Sequence, residues 1–232
     1  MTSPPTEVLS SPIPPLENGD KLTRLEFERR LQAMPADTQA ERIEGIVYMP
    51  AALRFRSHGR PHALVMAWLS DYWLATPGVE LADNTTIRLD LDNDPQPDAC
   101  LFIDEDYGGG VHVTEDDYLE GAPELIVEVA ASSAAIDLHG KKQAYRRNGV
   151  QEYLVWQVLD RKVDWYALQD GAYVELSPSA DGILKSQTFP GLWLTVEPWL
   201  GQQGRQVLEV LAEGLRSPGY LKFQQDLSSK AP

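Results

Sequence analysis

Residues 125–130 read Leu125-Ile126-Val127-Glu128-Val129-Ala130, a run that is apolar on both faces of a strand except at one glutamate. Such a run is the pattern of a central strand covered from both sides. An ionised carboxylate in that setting is strongly destabilising unless a cation or several donors compensate it. Something must therefore face Glu128. Two partners fit: a lysine or arginine in a structural ion pair, or a metal ion.

Reading toward the N-terminus, Pro97-Asp98-Ala99-Cys100-Leu101-Phe102-Ile103 gives another strand, introduced by Pro95-Gln96-Pro97. Pro97 fixes the chain's approach and has no N–H for a ladder, which puts Asp98 at a strand edge or mouth. Two carboxylates on adjacent strands make a poor apolar core and a good site for a hard cation such as Mg²⁺.

Reading the other way, a helix is expected from about Ala134 to Arg147, stopped at Asn148-Gly149. Asp137, Lys141 and Tyr145 lie four apart on one stripe of it. A cationic Lys141 near two carboxylates would hold or deprotonate an attacking water and neutralise charge developing on a phosphate. The alternative is a surface Asp–Lys pair, worth about 0.3–0.5 kcal/mol.

The flanking sequence supplies the rest of a layered α/β chain. Thr23 and Glu26 have capping-box spacing, so a helix is expected from Arg24 to Met34. Glu41 to Met49 reads as one strand with Gly45 in its middle, and Val65, Trp68, Leu69 and Tyr72 mark a helix over 61–74. Strands are expected at 86–91, 152–158, 163–168, 173–176 and 192–196, and a last helix at 199–215. The order implies a mixed sheet flanked by helices. Residues 1–20, rich in Pro and Ser, read as a disordered tail, 21–216 as one domain, and 217–232 as a C-terminal extension.

At 232 residues one core is sufficient without disulfides, and Cys100 is the single cysteine. No apolar run is long enough to span a membrane and no secretory signal is visible, so a cytoplasmic protein is expected. Twenty Lys and Arg against 35 Asp and Glu give a net charge of −15, which argues against holding nucleic acid by non-specific counterion release. Part of the deficit is one segment, Asp104, Glu105, Asp106, Glu115, Asp116, Asp117 and Glu120, read as solvated surface.

Taken in order, Glu41, Gly45, Pro97-Asp98, Glu128-Val129, Asp137, Lys141, Tyr145, Gly149-Val150 and Glu152-Tyr153 resemble the Uma-type endonucleases, a family of the restriction-endonuclease-like PD-(D/E)xK superfamily. The resemblance spans roughly Leu22 to Leu200. It implies a restriction-endonuclease-like αβββαβ core with extra C-terminal strands and a terminal helix. It further implies Mg²⁺ or Mn²⁺ bound by Asp98, Glu128 and the Val129 carbonyl, with Glu41 assisting and Lys141 as catalytic lysine. Tyr145, Asp137 and, ranked lower, Glu44 support them. The superfamily lysine two residues after the glutamate would fall at Ala130, so Lys141 takes its place. Ala131-Ser132-Ser133 stands where relatives carry Ser-Pro-Ser, leaving Ser133 to cap the helix.

Other constellations are weaker. His58 and His62 flank Pro61, which argues against a two-histidine helical metal face, and one cysteine cannot complete a zinc site. Arg54, Arg56 and Arg60 form one basic patch and Lys141, Lys142, Arg146 and Arg147 another; Lys142, Arg60 and His62 are the candidate phosphate contacts. The expected activity is a metal-dependent endonuclease acting on DNA, with a homodimer favoured only because symmetric pairs are common. Two alternatives are a catalytically silent relative that binds a protein partner, and a hydrolase of another phosphate ester.

Overall fold

A computed structural model of the chain describes residues 12–50, 53–131 and 136–230. The helices and strands run α1 (Arg24–Leu31), β1 (Glu41–Ile43), β2 (Ile46–Tyr48), α2 (Arg60–Ala75), β3 (Val79–Asp83), β4 (Ile87–Arg88), β5 (Ala99–Ile103), β6 (His112–Val113), β7 (Leu119–Glu120) and β8 (Leu125–Ala130). They continue with α3 (Lys142–Arg147), β9 (Glu152–Gln157), β10 (Lys162–Gln169), β11 (Ala172–Glu175), β12 (Ile183–Lys185), β13 (Trp193–Thr195), α4 (Val196–Leu200), α5 (Gly204–Gly214) and α6 (Pro218–Ser228). Wide π-type turns at Phe55–Gly59 and Ile136–Lys141 lead into α2 and α3.

One sheet organises the molecule, in the order β11-β10-β9-β8-β5-β3. Within this sheet, among the described residues, β8 and β9 are the one parallel pair. A parallel pair needs a crossover segment, and the π turn with α3 lies on it. All six residues of β8 are buried, as a strand covered on both faces must be. Because side chains alternate, Val127 and Val129 pack with Val65, Trp68, Leu69 and Tyr72 of α2 and with Trp199, Val207 and Leu211. Ile126 and Ala130 face the other way, toward Tyr145, Val150 and Tyr153. Glu128 shares their parity and so faces the side that carries Tyr145.

Trp68, fully buried, makes edge contacts with Trp165 and Trp199 at centroid distances of 5.8 and 5.2 Å and donates from Nε1 to the Trp193 carbonyl at 3.0 Å. Such aromatic pairs add about 0.5–1.5 kcal/mol each beyond the area they bury. This cluster pins α2 and α4 to the sheet. Among the described residues no helix is long and apolar enough to cross a membrane.

The structure departs from the sequence reading at several places. The segment 41–49 is a hairpin, because Glu44 and Gly45 both take positive φ, 55° and 75°, and turn the chain back. The terminal helix is two helices: Gln202 at φ 53° breaks it between Leu200 and Gly204. Residues 218–228 form α6, capped by Ser217, with Tyr220 and Leu227 in the main core. Helix α1 ends at Leu31, and Leu16 of the expected tail is buried beside it. Strands β3, β6, β7 and β12 have no counterpart in the reading. The Ser133 cap and residues 1–11 lie outside the described residues.

Candidate functional site

The antiparallel register of β5 and β8 places Ala99 opposite Val127 and Cys100 opposite Ile126. One step further, where β5 has ended, Asp98 falls beside Glu128 and has the parity of Cys100, the face toward which Glu128 points. Pro97 offers no N–H to extend the ladder. The Asp98 side chain takes over instead: Oδ2 accepts from the Val129 amide at 2.6 Å. One carboxylate is thereby fixed against the residue next to the other.

Glu128 meets its partners from the crossover. Its Oε1 accepts from Lys141 Nζ at 2.9 Å and from Tyr145 Oη at 3.0 Å. Glu41 comes from the hairpin on the opposite side, its Oε2 also 2.9 Å from Lys141 Nζ, and Asp137 Oδ1 lies 3.6 Å from the same ammonium. The hairpin is held by Arg42, fully buried, which donates Nη2 to Asp94 at 2.6 Å and to the Leu91 carbonyl at 2.7 Å. Glu41 Oε2 also accepts from the Gln96 amide at 3.2 Å, two residues before Asp98.

Burial pushes the Glu128 carboxyl well above the usual carboxylate range; Asp137, Asp98 and Glu41 push it further and Lys141 opposes them. Burial also works against the charge of Lys141, but Glu128, Glu41 and Asp137 outweigh it and hold the ammonium protonated. Burial and Glu128 raise the Tyr145 hydroxyl, keeping it a donor. Four carboxyls, Glu41, Asp98, Glu128 and Asp137, line one cleft of about 480 Å³ together with Lys141, His58 and Arg54. A donor set with that surplus of oxygens and negative charge fits a divalent cation.

The structure thus brings together Asp98, Glu128, Lys141, Glu41, Asp137 and Tyr145. It does not bring in Glu44, which sits in the hairpin turn, half exposed, and pairs with Arg147. Lys142 instead rests its ammonium 3.4 Å above the Tyr166 ring centre. Arg60 is exposed at the start of α2, outside the lining of the cleft. His62 does reach the site, its Nε2 3.2 Å from the Asp98 carbonyl oxygen and 3.1 Å from Asp83 Oδ1.

His58, set aside in the sequence reading, also reaches the cleft. Its Nε2 lies 3.2 Å from Asp98 Oδ1, and that carboxylate raises the imidazole above its ordinary value. The spacing His-x3-His carried the signal, and the objection from Pro61 fails. Pro61 occupies the first turn of α2, where a missing N–H is harmless, so turn and helix run on and keep both rings together at 5.6 Å.

Residues 25–197 match the family described as "Uma2: Putative restriction endonuclease". The fold is similar to a crystal structure described as "a putative nuclease belonging to DUF820" from Anabaena variabilis. The two share 14% sequence identity with a TM-score of 0.57, over 75% of this chain and 97% of that one. Comparison with curated proteins gives no match.

Proposed function

Because the chain belongs to the Uma2 family of restriction-endonuclease-like proteins, we propose that it is a divalent-metal-dependent endonuclease that hydrolyses phosphodiester bonds in DNA. The observation that carries this reading is Lys141, whose ammonium stands 2.9 Å from both Glu128 and Glu41, in a cleft that Asp98 also lines. Asp98, Glu128 and the Val129 carbonyl would hold Mg²⁺ or Mn²⁺, with Glu41 close enough to assist. When bound, that cation supplies polarisation of the scissile phosphate and acidifies a water.

The chain's own groups do the rest. Lys141, held protonated, donates: it orients the attacking water and faces the charge that develops on the phosphate oxygens, rather than abstracting a proton. Tyr145 fixes the Glu128 carboxylate by donating to the oxygen that Lys141 also contacts. Asp137 and Glu41 keep the ammonium charged and aimed. Arg54 in the cleft lining, Arg56 on the turn and Arg60 at the start of α2, all exposed, offer a backbone-phosphate contact that offsets the chain's net charge of −15. Two copies acting as a pair would cut both strands.

A second reading keeps the fold and drops the chemistry: a silent relative, favoured by the same net charge and by the buried ion pair of Lys141 with Glu128. The test is cleavage of supercoiled plasmid and of single-stranded DNA with Mg²⁺ or Mn²⁺ against EDTA. The wild type is expected to cut only with metal, and Lys141→Ala to lose about 10² to 10³-fold, the worth of one positioned donor facing developing charge. An inactive wild type that cleaves a small phosphodiester would move the substrate class. Equal cleavage by Lys141→Ala would discard the assigned role.

A further inference from the structure

Beside the Glu128 side of Asp98 lies a second group of donors of different chemistry. His58 Nε2 is 3.2 Å from Asp98 Oδ1, and His62 Nε2 is 3.2 Å from the carbonyl oxygen of the same residue. The imidazole nitrogens and the carboxylate oxygen all lie within 4.8 Å of one another. Donors on one ion at bonds of about 2.0–2.2 Å stand roughly 3–4 Å apart, so a modest turn of the side chains closes the set. The two rings come from contiguous backbone, the π turn and the first turn of α2, and the buried face of α2 anchors them.

The two oxygens of Asp98 point to different neighbours. Oδ2 is held by the Val129 amide, on the Glu128 side, while Oδ1 faces His58. Asp83 Oδ1, 3.1 Å from His62 Nε2, stands at the more exposed end of the group. All three side chains of the trio are partly open to solvent, 11–17% exposed, so an ion can enter without unfolding.

We propose that His58, His62 and Asp98 form a second cation position, selective for Zn²⁺, Mn²⁺ or Co²⁺ over Mg²⁺, and that Asp98 bridges it to the oxygen-lined position at Glu128. Imidazole suits borderline transition metals, whereas Mg²⁺ takes oxygen and dehydrates reluctantly. A pair of cations sharing one carboxylate at about 3.5–4 Å is the arrangement that clamps both the attacking and the leaving oxygen of a phosphodiester. The inference rests on the reading of Asp98 as a metal ligand and deepens it.

The test uses the full chain and the metals alone. Equilibrium dialysis against Zn²⁺ is expected to load one more ion per chain on the wild type than on the double variant His58→Gln/His62→Gln. The visible absorption of Co²⁺ bound to the wild type is expected to be intense, as imidazole-ligated low-coordinate Co²⁺ is, and to fade in the variant. Should the double variant misfold, each single substitution is measured with the same two readouts, and the wild-type Co²⁺ spectrum needs no variant. Equal Zn²⁺ loading and identical Co²⁺ spectra in both proteins would overturn the second position. Calorimetric Mg²⁺ binding separates the two readings: if it persists in both proteins while the Zn²⁺ difference is missing, only this inference falls. If Mg²⁺ binding is missing from both while the Zn²⁺ difference is present, this position stands and the oxygen-lined one falls.

Discussion

The Val129 amide donates a 2.6 Å hydrogen bond to Oδ2 of Asp98, so a side chain closes the β-ladder where the backbone of β5 has ended. The same contact seats one carboxylate of the site against the strand that carries the other. Asp98→Ala leaves that buried N–H unpaired and is expected to cost about 1–3 kcal/mol of stability. Asp98→Asn, which still offers an oxygen, is expected to cost clearly less. Urea unfolding of the two variants measures the difference, and equal losses would show that the amide contact contributes nothing.

Arg42 ties the hairpin that carries Glu41 to Asp94, both groups being buried. Arg42→Met leaves Asp94 with Arg24 as its remaining partner and strips the Leu22 and Leu91 carbonyls of a donor, and is expected to cost about 3 kcal/mol. The double variant Arg42→Met/Asp94→Leu is expected to recover part of that loss, the remainder reflecting the Arg24 pair that Asp94→Leu also breaks. Chemical denaturation of the set gives the coupling; additive losses would contradict it.

Burial holds the Glu124 carboxyl above its ordinary value of 4.5, although the Ile103 amide donates to it at 2.9 Å. A carboxyl whose folded pKa is raised contributes stability that is fully present below the unfolded value and is lost as pH rises through the folded one. Glu124→Gln removes this dependence. Its stability relative to the wild type is therefore expected to improve between pH 4.5 and pH 8. A relative stability that worsens over that range would reverse the sign.

Cys100 is buried in β5, and burial pushes its thiol up to about 12. Only the thiolate reacts with disulfide reagents at a useful rate. Labelling at pH 8 is expected to wait for unfolding, with full reaction in denaturant. Rapid labelling of the native chain would contradict the packing of this strand.

The site was largely legible because its residues violate the patterns around them. Glu128 interrupts an apolar strand, Pro97 marks the ladder's end before Asp98, and the stripe of Asp137, Lys141 and Tyr145, each four residues from the next, survives the wide turn at 136–141. Glu152-Tyr153 recurs in the ordered set for another reason. Glu152 accepts from Trp165 Nε1, Ser186 Oγ and the amides of Gln187 and Thr188, which ties the loop after β12 to the sheet. What escaped was set by backbone conformation or tertiary packing. A positive φ at Glu44 made a hairpin of one apparent strand, and one at Gln202 divided a helix. Helix α6 announced itself only by Ser217-Pro218, and its apolar residues gain meaning from Tyr220 donating to the Ala75 carbonyl at 2.6 Å. His58 was set aside because Pro61 was read as a breaker, when its position in the first turn is benign.

The central claim is that Asp98 and Glu128 hold one divalent cation between them. Thermal unfolding with and without Mg²⁺ tests it most directly, on the wild type, Asp98→Asn and Glu128→Gln. Metal at 100 times its dissociation constant stabilises by about 2.7 kcal/mol, and at roughly 2–4 °C per kcal/mol for a chain of this size that raises Tm by about 5–10 °C. The account predicts that rise for the wild type and its loss in both variants. An undiminished rise in either variant would contradict it.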